Sequence, residues 1–209
     1  MNNPFDEYHE EYEQWFSENE MVYNSELKAV QHLVLENKKG LEIGVGTGRF
    51  AAPLGIATGV EPAASMGKLA EQKGIDVYYD KGEDLPFSDN SFDLVLIVTT
   101  LCFLDDVDQT FKEIRRVLKE EGHLIIGFID RDSPLGKQYE KNKKENVFYQ
   151  SAEFHSAGET LKLLNKYDFK DIEIIQTIFG KIGDINQVQD FKTGHGEGGF
   201  VVIKGRLEN

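Results

Sequence analysis

One cysteine, Cys102, stands in the whole chain, so no disulfide can form within it. No apolar run approaches the ~18 residues of a membrane span, and no membrane association is expected. No stripe of Lys or Arg occurs, and the net charge is −14. A surface this acidic repels phosphate backbones, so no nucleic-acid partner is expected. The opening stretch MNNPFDEYHE has neither a basic nor an apolar signal region, which points to the cytoplasm. The five histidines, His9, His32, His123, His155 and His195, show no metal-ligand spacing, so no metal is expected. No repeat and no low-complexity linker divides the 209 residues, a length that suits one domain.

The patterning that is present alternates. Phe5, Tyr8, Tyr12, Trp15 and Phe16 recur at helical spacing, in a region, residues 1–26, that carries eight Asp or Glu and no Lys or Arg. A second helix is expected through Leu27, Val30, Leu33 and Val34. KGLEIGV then reads as a strand, GRFAAPL as a short helix stopped near Pro53, GIATGVE as a strand and AASMGKLAEQKG as a helix. IDVYYDK is a strand, and SFDLVLIVTT is an apolar strand of the kind covered on both faces. DDVDQTFKEIRRVLKEEG is a helix with an Asp-rich start and a glycine stop, and HLIIGFID is another apolar strand. This order predicts an α/β fold, a doubly wound parallel sheet. After a helix in SAGETLKLLNKYD, the strands FKDIEIIQTIF and GGFVVIKGRL have no helix between them, so the last strand is expected to be antiparallel. The long polar stretch from Gly180 to Gly198 reads as a functional cover.

GLEIGVGTGRF, residues 40–50, carries the chemistry. Gly44, Gly46 and Gly48 follow a strand, where backbone can approach a ligand closely. Glu61 ends the next strand, nineteen residues after Glu42, where a carboxylate can accept from both hydroxyls of a ribose. A nicotinamide dinucleotide fits poorly. Its loop needs a packing glycine where Arg49 stands, and Glu42 would repel a pyrophosphate. Glu42 suits a ligand end with positive charge.

Together with GVEPAASM, GEDLPFSDNSFDLV and FKEIRRVLKEEGHLIIG, this stretch resembles the class I S-adenosylmethionine-dependent methyltransferases, in the branch with the ubiquinone and menaquinone biosynthesis enzymes. The resemblance runs over roughly residues 23 to 130. It implies a Rossmann-like sheet of seven strands, the last antiparallel, under an N-terminal helical cap over 1–37. A cofactor-binding core over 38–130 and a substrate-side part over 131–209 complete the implied single domain. The implied cofactor is S-adenosyl-L-methionine and the implied partner a small-molecule methyl acceptor. The Gly44–Gly48 loop would wrap the methionine moiety with Glu42 near its ammonium. Glu61 would hold the ribose, with Pro62 and Met66 bordering the adenine. Relatives often place an Asp at the adenine edge, where Lys81 stands here, so Gly82 or Glu83 would take over. Thr99, Thr100 and Leu101 would line the sulfur end, and Cys102 and Phe103 occupy positions where relatives often carry histidines.

Methyl transfer from a sulfonium needs position above all, and the sequence offers no catalytic triad. If a proton must leave the acceptor, the candidate bases are Asp130 and His155. His155 also reads as the residue before a helix capped by Ser156 and Glu159. Arg49 reads as a partner of the methionine carboxylate or as a surface arginine. Asp93 and Arg116 read as structural ion-pair residues, and Cys102 as a buried small hydrophobe. Tyr8, Tyr12 and Trp15 form either the buried face of a packing helix or a lid over the cofactor and substrate. Two rivals stand beside an enzyme that methylates by in-line displacement: a non-catalytic cofactor-binding protein and a nicotinamide oxidoreductase.

Overall fold

The computed structural model describes residues 3–35 and 37–208. Three helices open the chain: α1 (Pro4–Glu7), α2 (His9–Glu18) and α3 (Glu20–Leu33). The expected aromatic helix is broken at Tyr8, and Asn19 separates it from the expected second helix; both residues leave helical geometry. The breaks let α1 and α2 fold back over the sheet while α3 packs on it. On α3 the buried stripe is Val22, Ser25, Glu26, Ala29, Val30 and Leu33.

The sheet elements follow as β1 (Gly40–Ile43), α4 (Ala51–Leu54), β2 (Thr58–Val60), α5 (Ala64–Glu71), β3 (Asp76–Tyr78), β4 (Phe92–Val98), α6 (Val107–Val117) and β5 (Leu118–Ile129). α4 contains Pro53 and is stopped by Gly55, whose φ of 70° gives the left-handed cap. α6 starts at Asp106, whose side chain accepts from the Gln109 N–H. It ends at Val117, because LKEEG already belongs to β5.

The last part is α7 (Pro134–Asn142), α8 (Ala157–Lys166), β6 (Phe169–Thr177), β7 (Lys192–Thr193) and β8 (Phe200–Leu207). α7 is absent from the sequence reading. It starts with Ser133 accepting from the Gly136 N–H and Pro134 in the first turn. α8 opens on the expected capping box of Ser156 and Glu159.

Eight strands form one sheet in the order β3-β2-β1-β4-β5-β8-β6-β7. The five from β3 to β5 are parallel, and β8 enters antiparallel between β5 and β6. The strand beyond the expected seven is the two-residue β7, which pairs on β6 at the outer edge. β4 explains its own apolar run. Val95 and Ile97 face the core under α6 and α8, while Leu94, Leu96 and Val98 face the core under α3 and α7. The strand order reverses between β1 and β4. Their carboxyl ends lie side by side, with Ile43 opposite Ile97, and that is where an open α/β sheet binds ligands.

Candidate active site

The loop after β1 turns through three left-handed glycines, with φ of 68° at Gly44, 54° at Gly46 and 77° at Gly48. They serve different ends. A side chain on Gly44 would collide with Thr100, whose atoms come within 2.3 Å of the added carbon. Gly44 therefore lets the β1 and β4 loops meet, and the Thr100 hydroxyl donates to its carbonyl. Gly48 would collide with Ile75 at 2.6 Å and approach Ala70, so it packs the loop on α5 rather than facing a ligand. Gly46 opens on the cavity, where the nearest atoms to an added carbon are Met66 Cε and the Tyr12 hydroxyl, each at 3.6 Å. Thr99 also takes a left-handed φ of 50°, backbone strain placed at the cavity wall.

Glu61, at the end of β2, ties this loop. One of its oxygens accepts from the Gly46 N–H and the other from the Ala63 N–H, both at 2.9 Å. Burial raises its pKa against those two bonds, and the charge of Asp6 adds to the rise. Each oxygen keeps a further lone pair, so ribose hydroxyls can still donate to it. Glu42 lies beneath the loop at 2% exposure. Its Oε2 has no hydrogen-bond partner. Burial holds its carboxyl well above the usual range, opposed by the Ala51 N–H and reinforced by Glu61.

Above the glycines sits a cavity of about 440 Å³, within the ~300–1,000 Å³ of small-molecule sites. Of the expected cofactor residues, Gly44, Gly46, Glu61, Pro62, Met66, Gly82, Glu83, Thr99 and Thr100 line it. Glu42, Gly48, Arg49 and Leu101 do not. Leu101 is buried in the core under α6. The Glu83 carboxylate accepts from the Asp105 and Asp106 N–H groups at 2.8 and 3.1 Å, so it holds the start of α6. Lys81 also lines the cavity and donates to Asp105 at 2.6 Å.

Of the expected lid and substrate residues, Tyr12, Trp15 and Phe103 line the cavity. Tyr8 stands outside it, edge-on to Phe148. The Cys102 thiol donates weakly to the Thr99 carbonyl and is pushed up to about 12 by burial. With His155 it borders a separate side pocket of about 10 Å³. Asp130 is buried, and its Oδ1 accepts from the Ala157 and Asp132 N–H groups. Neither candidate base lines the main cavity. Arg49 pairs within the protein. Its guanidinium binds Glu13 of α2 through two nitrogens and lies over Phe16.

That pairing belongs to a clamp. Glu13 also accepts from Thr47, and Lys73 lies 3.8 Å away while donating to the Thr47 carbonyl. Burial pushes Glu13 up, but the bonds from Arg49 and Thr47 outweigh it and hold the carboxyl below its ordinary range. Asp6 of α1 accepts from the Ser65 N–H at 2.8 Å. The N-terminal helices are thus fastened to the glycine loop and to α5.

Phe5 of the aromatic N-terminal segment and Ile182 of the 180–198 stretch line the cavity too. The sequence reading missed the other wall, to which Tyr139, Phe148, Tyr149 and Glu26 contribute. Tyr139 rides on α7, the helix that was not foreseen. Glu26 left a signal. It is the one carboxylate within the apolar stripe of α3, four residues after Val22 and three before Ala29.

Known proteins agree with this geometry. Residues 41–126 match the family model described as a methyltransferase domain. A solved structure from Thermotoga maritima, described as an S-adenosylmethionine-dependent methyltransferase and possible histamine N-methyltransferase, superposes with a TM-score of 0.95. It is 46% identical, with 99% of both chains covered. An uncharacterized protein of Methanocaldococcus jannaschii is 50% identical over 96% of this chain and 97% of its own. A demethylmenaquinone methyltransferase of Thermotoga maritima is 34% identical over 47% of this chain and 48% of its own.

Proposed function

The chain belongs to the S-adenosylmethionine-dependent methyltransferases, and from that premise we propose that it methylates a small molecule by in-line displacement. The observation that carries this reading is the single cavity joining the Gly44–Gly46 turn and Glu61 to an aromatic wall. The residues suit the cofactor. Gly46 leaves open the space that any side chain would fill, and the buried, unpartnered Glu42 Oε2 fits a nearby cation.

Bound S-adenosylmethionine supplies an activated methyl carbon. The chain's part is position and the exclusion of water. Gly44 and Gly46 would bring backbone against the methionine moiety, with Glu42 beneath. Glu61 would accept from the ribose hydroxyls. Pro62 and Met66 would border the adenine, and the Gly82 backbone would meet its edge in place of an acidic side chain. Thr99 and Thr100 would stand at the reacting end, with Tyr12, Trp15 and Phe103 closing the cavity from above. The description of the Thermotoga relative puts amines on the panel of acceptors to be tried.

Calorimetry and a labelled-methyl assay test the reading. Wild type is expected to bind S-adenosylmethionine and its demethylated product, and Gly46→Val to lose that binding while staying folded. A β-branched residue resists the left-handed φ and fills ligand space. Full affinity in Gly46→Val would show that this loop does not cradle the cofactor.

A further inference from the structure

Glu26 is the buried carboxyl of the cavity to which the cofactor reading assigns no role. It is 6% exposed, on the buried face of α3, yet it lines the cavity. Among the described residues, no cation and no hydrogen-bond donor meets its carboxyl. Burial alone governs it, and neither Glu42 nor Glu61 acts on it. Its charge is felt by Tyr12, Tyr139 and Tyr149. Tyr139 and Tyr149 meet edge to face at 5.2 Å, and Tyr12 meets Phe148 at 6.0 Å. A buried carboxyl without a partner is costly unless a ligand completes it.

On the reading that this cavity transfers methyl groups, we infer that the acceptor is a small amine. Its nitrogen donates to Glu26 within the aromatic walls of Tyr12, Trp15, Tyr139 and Tyr149. The lining chemistry selects that class. Lys81 is the one basic residue among the described lining residues, and it is exposed and paired with Asp105. An anionic acceptor would find no counter-charge. An ammonium brings several N–H donors and a positive charge, which a carboxylate and aromatic faces both attract. An alcohol brings one donor and no charge.

The same carboxyl serves the chemistry. An ammonium must lose a proton before its nitrogen can attack, and the Glu26 carboxylate takes it. The nitrogen lone pair then forms the new N–C bond as the S–C bond breaks, with that electron pair left on sulfur. The products are a methylated ammonium and a neutral thioether. Burial pushes Glu26 up to about 8, where proton exchange with an amine is close to balanced. A neighbouring ammonium favours its charged form.

The test uses wild type and Glu26→Gln, with benzylamine, butylamine, benzyl alcohol, benzyl thiol and benzoate as probes. Binding is measured by calorimetry with S-adenosylhomocysteine in place, and transfer with labelled methyl donor. The expected result is binding and methylation of the amines ahead of the other classes. Glu26→Gln should lower kcat/KM for amines about fiftyfold while S-adenosylhomocysteine affinity stays within about twofold. No preference of wild type for amines overturns the inference, and that measurement needs no variant. A Glu26→Gln loss falling on S-adenosylhomocysteine instead overturns it too, assigning the carboxyl to the cofactor. Selective amine binding lost in Glu26→Gln, with no transfer to any class, would sink the methyl-transfer reading and leave the amine site standing.

Discussion

Glu42 and Glu61 show how two carboxylates near one loop acquire different tasks. Glu61 is satisfied twice by backbone N–H groups and faces the cavity, so it both shapes the loop and remains able to accept. Glu42 is beneath the loop with one oxygen unpaired. A hydrogen bond to a charged group contributes ~1.5–3 kcal/mol. Glu61→Ala should therefore weaken S-adenosylmethionine about ten- to a hundredfold. Glu42→Gln keeps the shape and removes the negative charge. It should weaken the cationic cofactor and leave the melting temperature of the ligand-free protein no lower, because burial already disfavours the charged carboxylate there. Calorimetry and a thermal melt read both. Unchanged affinity in Glu42→Gln would mean that the orphaned oxygen does not serve the ligand.

At the scale of elements, the cover is a fastened one. α1 and α2 contribute Phe5, Tyr12 and Trp15 to the cavity, and Glu13 binds Thr47 and Arg49 of the glycine loop itself. A partly buried, multiply bonded ion pair contributes ~1–2 kcal/mol. Glu13→Ala should then speed S-adenosylmethionine release about five- to thirtyfold, measured by stopped flow, with little change in the melting of the sheet. Release at the wild-type rate would mean that the helices do not gate the cofactor. The 180–198 stretch is fastened as well. Gln189 donates its N–H to the Ser25 hydroxyl, and Lys28 pairs with Asp190, so this stretch packs on α3 next to Glu26.

Across the whole molecule, pH acts through the buried acid as well as the surface charge. Glu26 titrates near 4.5 as an ordinary carboxyl and is pushed up to about 8 in the folded protein. The native state therefore keeps a proton that the unfolded chain gives up between those values. Stability is full below the unfolded value, falls as pH rises from about 4.5, and has lost this contribution above about 8. The surrounding Tyr12, Tyr23, Tyr139 and Tyr149 are all raised above their ordinary range, first by burial, and stay neutral throughout that window. Glu26→Gln should accordingly gain on wild type in urea melts as pH goes from about 5 to about 9. An equal difference at both ends would show that Glu26 does not carry that proton.

Local spacing was enough for the sheet apart from the short β7 and for the glycine turn, because each depends on residues close in sequence or on a strand period. The Ser156–Glu159 cap was readable for the same reason. What the chain did not declare is what meets across the cavity. Arg49 looked like a ligand or surface residue because its partner, Glu13, lies thirty-six residues away on a helix that folds back. Asp130 was a candidate base because it follows β5 and His155 because it precedes α8, yet the turn into α8 claims the Asp130 carboxylate and His155 borders a side pocket. Glu26 looked like one acid among the eight in residues 1–26. Its isolation comes from burial by α3, α7 and the N-terminal helices together, and desolvation is a property of the assembled walls, not of any one segment.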